Sequence, residues 1–285
     1  MCPEESLRRF EAEEIFLADV IAACEKCGLA CSVGVQTARK QRGAVQVISS
    51  AECQQIGDEI HVWHATLDRN KWVLAHLEST LSPDEKARAD RFHFLKDRNH
   101  YIVGRGLLRE LLGGYLRQSP ARLEFSYAQY GKPFLSGANA SGGLSFNLAH
   151  SAGLVVYAVA RERNLGIDIE RIKPESAGED IAKRYFSARE VNDLLTLPPE
   201  EKVEGFFLCW SRKEAYLKAT RMGLQIPLDS FAVSLTPGQP AQFLGGVEPC
   251  WKIASYRPAE GYSAALVYDG APSSIKYFPV DSFVE

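Results

Sequence analysis

The period at which apolar residues recur changes several times along the chain, and each change predicts an element. Residues 1 to about 30 place Phe10, Ile15, Phe16, Leu17, Val20 and Ile21 on one side of an amphipathic helix. The stretch to about residue 57 is polar, carries Arg39, Lys40 and Arg42, and reads as a loosely packed extension. From Glu59 the run Ile60-His61-Val62-Trp63-His64-Ala65 alternates like a strand. Ser82-Pro83-Asp84-Glu85 combines an N-cap serine, a proline at the first helical position and a glutamate at the third, so a helix begins there. A second helix is predicted from about Arg98 to Leu116, ending at Gly113-Gly114 or shortly after, followed by a short strand from Leu123 to Tyr127.

Three apolar runs, Leu144 to Leu148, Leu154 to Ala160 and Leu165 to Ile169, have short polar connections, the pattern of an antiparallel meander with His150 and Ser151 in a turn. Ser187-Ala188-Arg189-Glu190 is another capping box. Pro198-Pro199 breaks the chain, and Glu201 to Met222 is a long helix stopped by Gly223. Strands follow at Phe231 to Leu235, Trp251 to Tyr256 and Ala264 to Tyr268. This order predicts an α+β fold of two similar halves joined near Arg161 to Leu165, with no clear internal repeat in the sequence.

Two segments carry chemistry. In Gly166-Ile167-Asp168-Ile169-Glu170 the carboxylates are two apart, so on a strand both point to one face while Ile167 and Ile169 point to the other. In Trp210-Ser211-Arg212-Lys213-Glu214-Ala215-Tyr216-Leu217-Lys218, Glu214 falls among Phe207, Trp210 and Leu217 on the apolar side of the helix, with Lys218 one turn on. If strand and helix pack together, three carboxylates and a lysine converge, a set suited to holding Mg²⁺ against a phosphorylated ligand. Taken singly, the first segment also fits a solvated edge strand and the second an ordinary i,i+4 helix pair.

Composition narrows the setting. With 285 residues, 46% apolar and 24% charged, the chain is long enough for one large domain or two small ones. A formal charge of −3 argues against a nucleic-acid binder that relies on bulk electrostatics. Seven irregularly spaced cysteines do not form a secreted disulfide framework and favour a cytoplasmic setting. Cys24, Cys27 and Cys31, with Cys53 beyond, have the residue type of a zinc or iron–sulfur site, but on a helix the first three also make a buried stripe, and no histidine is near. The acidic start is unlike a signal peptide, and Asp19, Glu25 and Lys26 interrupt the apolar stretch Ile15 to Val35, so no membrane span is expected.

The two chemical segments resemble the signature motifs of the Sfp-type 4′-phosphopantetheinyl transferases, a Gly-Ile/Val-Asp-x-Glu strand and a Trp-x-x-Lys-Glu-Ala/Ser-x-x-Lys helix. The likeness extends through Gly104-Arg105-Gly106-Leu107-Leu108-Arg109, Tyr130-Gly131-Lys132-Pro133 and Phe146-Asn147-Leu148-Ala149-His150-Ser151, and covers about residues 58 to 270. It implies two similar lobes forming a pseudo-dimer, 58–164 and 165–285, with mainly antiparallel sheets and the active site in the cleft between them; 1–57 is an N-terminal extension. The implied activity is Mg²⁺-dependent transfer of the phosphopantetheine arm of coenzyme A to a serine of an apo acyl- or peptidyl-carrier protein by a monomer, releasing adenosine 3′,5′-bisphosphate.

The resemblance assigns Asp168, Glu170 and Glu214 to the metal, Glu214 and Lys218 to catalysis, and Arg105, Gly131, Lys132, His150, Ser151, Lys213 and Lys218 to coenzyme A. A satisfied surface turn at Gly131-Lys132, a solvated Lys213 and helix packing for Arg105 and Arg109 are the plain alternatives. The chain departs from the family pattern at Ala149, where many members carry serine, and Ile169 cannot ligate a metal. Phe186 and the helix after it are a candidate carrier-docking surface, or simply a hydrophobic staple. A metal-dependent diphosphate hydrolase and a non-catalytic protein binding coenzyme A or a carrier are the competing functions.

Overall fold

Strand β1, Glu59–Thr66, opens the computed structural model, which describes residues 56–129, 131–222, 225–272 and 274–280. The expected N-terminal helix, the extension before residue 56, Cys24, Cys27, Cys31, Cys53, Tyr130 and Gly223 lie outside the described residues. Helix α1, Lys71–Thr80, was not foreseen; Asn70 caps it, its Oδ1 accepting from the amides of Trp72 and Val73 at 3.0 Å each. Helix α2, Pro83–Ala89, starts at the expected capping box. Helix α3, Leu95–Leu116, begins three residues before the expected Arg98 and ends where Arg117 turns left-handed at φ 53°.

Strands β2, Phe125–Tyr127, and β3, Pro133–Leu135, form a small hairpin. Strands β4, Leu144–Ser151, and β5, Leu154–Arg161, are joined by Ala152 (φ 45°) and Gly153 (φ 89°), the two positive φ values that a two-residue hairpin turn of the right twist demands. His150 and Ser151 are therefore the last residues of β4 and not part of the turn, which is one residue further on. Strand β6, Leu165–Arg171, does not complete a meander. It leaves the first sheet and pairs with a later strand to start a second, turning an apolar face with Ile167 and Ile169 to one side and Asp168 and Glu170 to the other.

Helices α4, Glu179–Tyr185, α5, Ala188–Thr196, and α6, Pro199–Thr220, follow. A short pair, β7 (Ala232–Val233) with β8 (Phe243–Gly245), then leads to β9, Trp251–Tyr256, β10, Tyr262–Asp269, and β11, Ser274–Pro279. The first sheet has the order β11-β1-β5-β4, with β11 parallel to β1 and the other pairs antiparallel; the second, β6-β10-β9, is wholly antiparallel. The chain thus returns at its end to the first sheet.

The fold is α+β with two lobes built alike, each a mainly antiparallel sheet backed by a 22-residue helix. One core lies between α3 and the first sheet around Trp63, Leu108, Leu111 and Tyr157, and another between α6 and the second sheet around Phe207, Trp210, Ala265 and Val267. A third, with Val62, Val156, Ile167, Ile169 and Leu266, joins the two sheets face to face. Each large apolar side chain buried there contributes about 1.5–3 kcal/mol relative to exposure. The edge strands β4 and β6 also meet directly, where Asn147 Oδ1 accepts from the amide of Ile167 at 2.7 Å.

Candidate active site

The candidate site exists because Gly166 lets α6 lie directly on β6. A Cβ at that position would stand 2.2 Å from the Ala215 carbonyl oxygen and 2.3 Å from the Ala219 nitrogen, so any side chain would push helix from strand. At this close approach Ile167 and Ile169 enter the core between the sheets, while Asp168 and Glu170 face the helix. Lys218 Nζ donates to Asp168 Oδ1 at 3.0 Å. Asp168, Glu170 and Glu214 are 2%, 4% and 8% exposed, so water screens their mutual repulsion poorly.

Electrostatics show the strain. Burial, then the Asp168 charge, pushes Glu214 up to about 8, and the nearby Lys218 only partly opposes this. Burial and then Asp168 also push Glu170 up to about 8, against a hydrogen bond from Ser151. Among the described residues no three His, Cys, Asp or Glu side chains already form a metal cluster, and the Lys218 ammonium sits on Asp168. The donor set nevertheless fits a hard divalent cation: a bound cation would take the place of the protons that Glu170 and Glu214 retain and meet three oxygen-bearing side chains beside one ammonium.

Ser151 links the halves at this point. Its hydroxyl donates to Glu170 Oε2 at 3.1 Å and accepts from the Arg171 amide at 3.0 Å. His150, one residue earlier, is on the opposite face of β4, the face that Leu144, Phe146 and Leu148 turn toward the first core. Ala149 is fully buried in the core between the sheets, so a hydroxyl in its place would face apolar neighbours.

Three residues that the resemblance gave to coenzyme A are engaged elsewhere. Lys213, 1% exposed, pairs with Glu190 Oε2 at 2.8 Å and donates to the carbonyls of Leu228 (2.6 Å) and Phe231 (2.7 Å), with the Phe231 ring 4.2 Å away. It fastens α6 to the cap of α5 and has no rim position. Arg105 donates through Nε to Glu85 Oε1 at 2.5 Å and through Nη2 to the Tyr127 hydroxyl at 2.9 Å, its guanidinium over the Phe125 ring. Arg109 takes the other Glu85 oxygen at 2.6 Å, so this cluster is internal to the first half. Lys132 donates to the carbonyls of Leu165 (2.6 Å) and Lys218 (2.7 Å). Burial first, then the charges of Arg221 and Lys218, hold its pKa down to about 7. Gly131 has φ 79°, which explains the glycine as the residue that closes this turn.

A cleft of about 550 Å³ is not announced by the sequence motifs; Asp68, Arg69, Lys96, Asn99 and His100 line it with the stem of α3, and Asp68 Oδ1 pairs with His100 Nε2 at 2.8 Å. A Cβ on Gly153, in the turn just after Ser151, would be 4.0 Å from His100, which places the cleft next to that turn. The signal was present as Lys96, Asn99, His100 and Val103, spaced i, i+3, i+4 and i+7 on one face of a helix. The buried anchors Glu85 and Glu190 were foreseen only as capping residues.

Residues 164–267 match the family model described as 4′-phosphopantetheinyl transferase superfamily, and residues 62–162 match that described as 4′-phosphopantetheinyl transferase, N-terminal. The chain is 42% identical over 215 residues to 4′-phosphopantetheinyl transferase HetI of Nostoc sp., an overlap covering 75% of this chain and 90% of that protein. It is 34% identical over 190 residues to 4′-phosphopantetheinyl transferase Sfp of Bacillus subtilis, covering 66% and 82%. With both halves matched in order and the motif carboxylates and lysine on adjoining elements, the chain belongs to the 4′-phosphopantetheinyl transferase superfamily and is a transferase of that kind.

Proposed function

We propose that the protein transfers the 4′-phosphopantetheine arm of coenzyme A to a serine hydroxyl of an apo acyl- or peptidyl-carrier protein, with Mg²⁺, in the cleft between residues 58–164 and 165–285. The serine oxygen attacks the phosphorus that bears the pantetheine, its bond to the bridging diphosphate oxygen breaks, and adenosine 3′,5′-bisphosphate leaves. Mg²⁺, when bound, supplies charge neutralisation at the diphosphate oxygens. Asp168, Glu170 and Glu214 would hold it.

The chain's own groups divide the remaining work. Glu214 accepts the serine proton, directly or through a water, the water route being the better one because a carboxylate that also holds a cation is a weakened base. Lys218, in the same cluster as Asp168, offsets charge on the leaving phosphate. Arg69 and Lys96, with His100 held by Asp68, suit the anionic nucleotide end of coenzyme A, and Ser151, bonded to Glu170, precedes the turn that lies beside His100. The observation that carries this reading is the burial of three carboxyl groups, Asp168, Glu170 and Glu214, beside one ammonium where α6 crosses β6 at Gly166.

The test is a panel of apo carrier proteins incubated with coenzyme A and Mg²⁺ and weighed intact, beside Asp168→Ala and Glu214→Ala. Wild type should add one phosphopantetheine per carrier and both variants should fold yet lose at least about 100-fold in rate. Coenzyme A cleavage with no carrier present would favour the diphosphate hydrolase. Binding without any turnover would favour the non-catalytic carrier or coenzyme A binder.

A further inference from the structure

Lys132 does something the transferase reading did not assign to it. The residue follows the hairpin loop of β2 and β3, where Ala128 donates to its carbonyl at 2.9 Å, Gly131 donates to the Ala128 carbonyl at 2.9 Å, and Pro133 keeps the backbone extended. From this braced loop its side chain reaches the second lobe. The two acceptors it meets lie on different elements: Leu165 starts β6, which carries Asp168 and Glu170, and Lys218 is in the last turn of α6.

The carbonyls in a helix's last turn have no partner further along the helix, and the negative end of its dipole favours a cation there. The second acceptor, Leu165, is next to Gly166, whose missing side chain lets Lys218 and Ala219 touch the strand. One ammonium therefore bridges the strand and the helix at their closest approach.

We propose that Lys132 is a positioning residue for the transfer reaction: by clamping the start of β6 to the last turn of α6 it sets Lys218 against Asp168, and it does not contact coenzyme A. Because the clamp serves the reaction proposed above, it rests on that reading. A residue that bound a phosphate of coenzyme A would act on substrate affinity. A clamp acts on the geometry of the reacting groups, where a displacement of about 1 Å can cost up to about 100-fold.

Lys132→Met should lower kcat about tenfold and leave KM for coenzyme A within about twofold. On a Lys218→Met background the same substitution should change the rate by less than about twofold, because the group being positioned is already gone. A raised KM with kcat kept, or fully multiplicative effects in the double variant, would overturn the proposal.

A wild-type measurement covers the case in which Lys132→Met does not fold. Under reductive methylation Lys132 should resist modification equally with and without coenzyme A, whereas strong reactivity that coenzyme A suppresses would place its ammonium on the ligand and defeat the clamp. If wild type modified no carrier, the transferase reading would fall, and the methylation pattern would still decide where this ammonium is held.

Discussion

Beside α3, Glu85 receives two guanidinium groups, from Arg105 and Arg109, while beside α6 the ammonium of Lys218 pairs with Asp168 and its field reaches Glu170 and Glu214. Both clusters are almost wholly buried. In the first, Arg109 and Arg105 outweigh burial and hold the Glu85 carboxyl below its ordinary value. In the second, burial and like charge drive Glu170 and Glu214 up to about 8. A buried cluster whose charges are matched by partners holds structure together, whereas one left with surplus charge stores repulsion that a ligand of opposite sign can relieve.

The sharpest way to break this contrast is to neutralise one carboxyl in each cluster. Glu85→Gln leaves two buried guanidinium groups short of a counter-charge and should cost about 3–5 kcal/mol of stability in denaturant unfolding. Glu214→Gln fixes the uncharged form that burial already favours and should leave stability equal or slightly higher, while the transfer rate falls at least about 100-fold. Equal losses of stability in the two variants would mean that both clusters are structural.

The next effect is smaller and depends on pH. Glu170 and Glu214 have an ordinary value of 4.5 and lie near 8 in the folded metal-free chain. Between those values the folded state keeps protons that the unfolded state has released, so stability is greatest below about 4.5 as far as these groups are concerned and falls as pH rises through 8. Thermal midpoints of metal-free protein should drop by several degrees from pH 6 to pH 8.5, at about 2–4 °C per kcal/mol for a chain this long. Added Mg²⁺ should restore more of the midpoint at pH 8.5 than at pH 6. A midpoint that rises with pH and ignores Mg²⁺ would remove the repulsion from the account.

The contrast also explains what could be seen in the sequence. Asp168 with Glu170 and Glu214 with Lys218 were legible because periods of two and 3.6 fix which side chains share a face, and Gly166 has a local reason to be glycine. The destinations of Arg105, Lys213 and Lys132 were not, because a cation's partner is chosen in three dimensions: Glu85 precedes Arg105 by 20 residues, Glu190 precedes Lys213 by 23, and Lys132 reaches a carbonyl 86 residues away. The same limit hid the sheet change at β6 and the return of β11 to β1, since alternation marks a strand without naming its neighbour. In the hairpin the apolar run stopped short of the last β4 residues, which displaced His150 and Ser151 into a turn that Ala152 and Gly153 form.

Ser151 gives the mildest test, because it touches the surplus-charge cluster from the other sheet through a single hydroxyl. Its removal in Ser151→Ala takes away a donor to Glu170 and an acceptor for the Arg171 amide, a net loss of about 0.5–1.5 kcal/mol. If that bond matters for the ionised form of Glu170, kcat/KM should fall roughly 3–10-fold. The pH at which metal-free stability declines should move upward, since the hydroxyl is one of the groups restraining the rise in the Glu170 pKa. Ser151→Thr, which keeps the hydroxyl, should recover most of both. Should Ser151→Ala lower the thermal midpoint alone, with kcat/KM and the pH profile unmoved, the hydroxyl would be a seam between the sheets like Asn147, and the site's surplus charge would be confined to the second lobe.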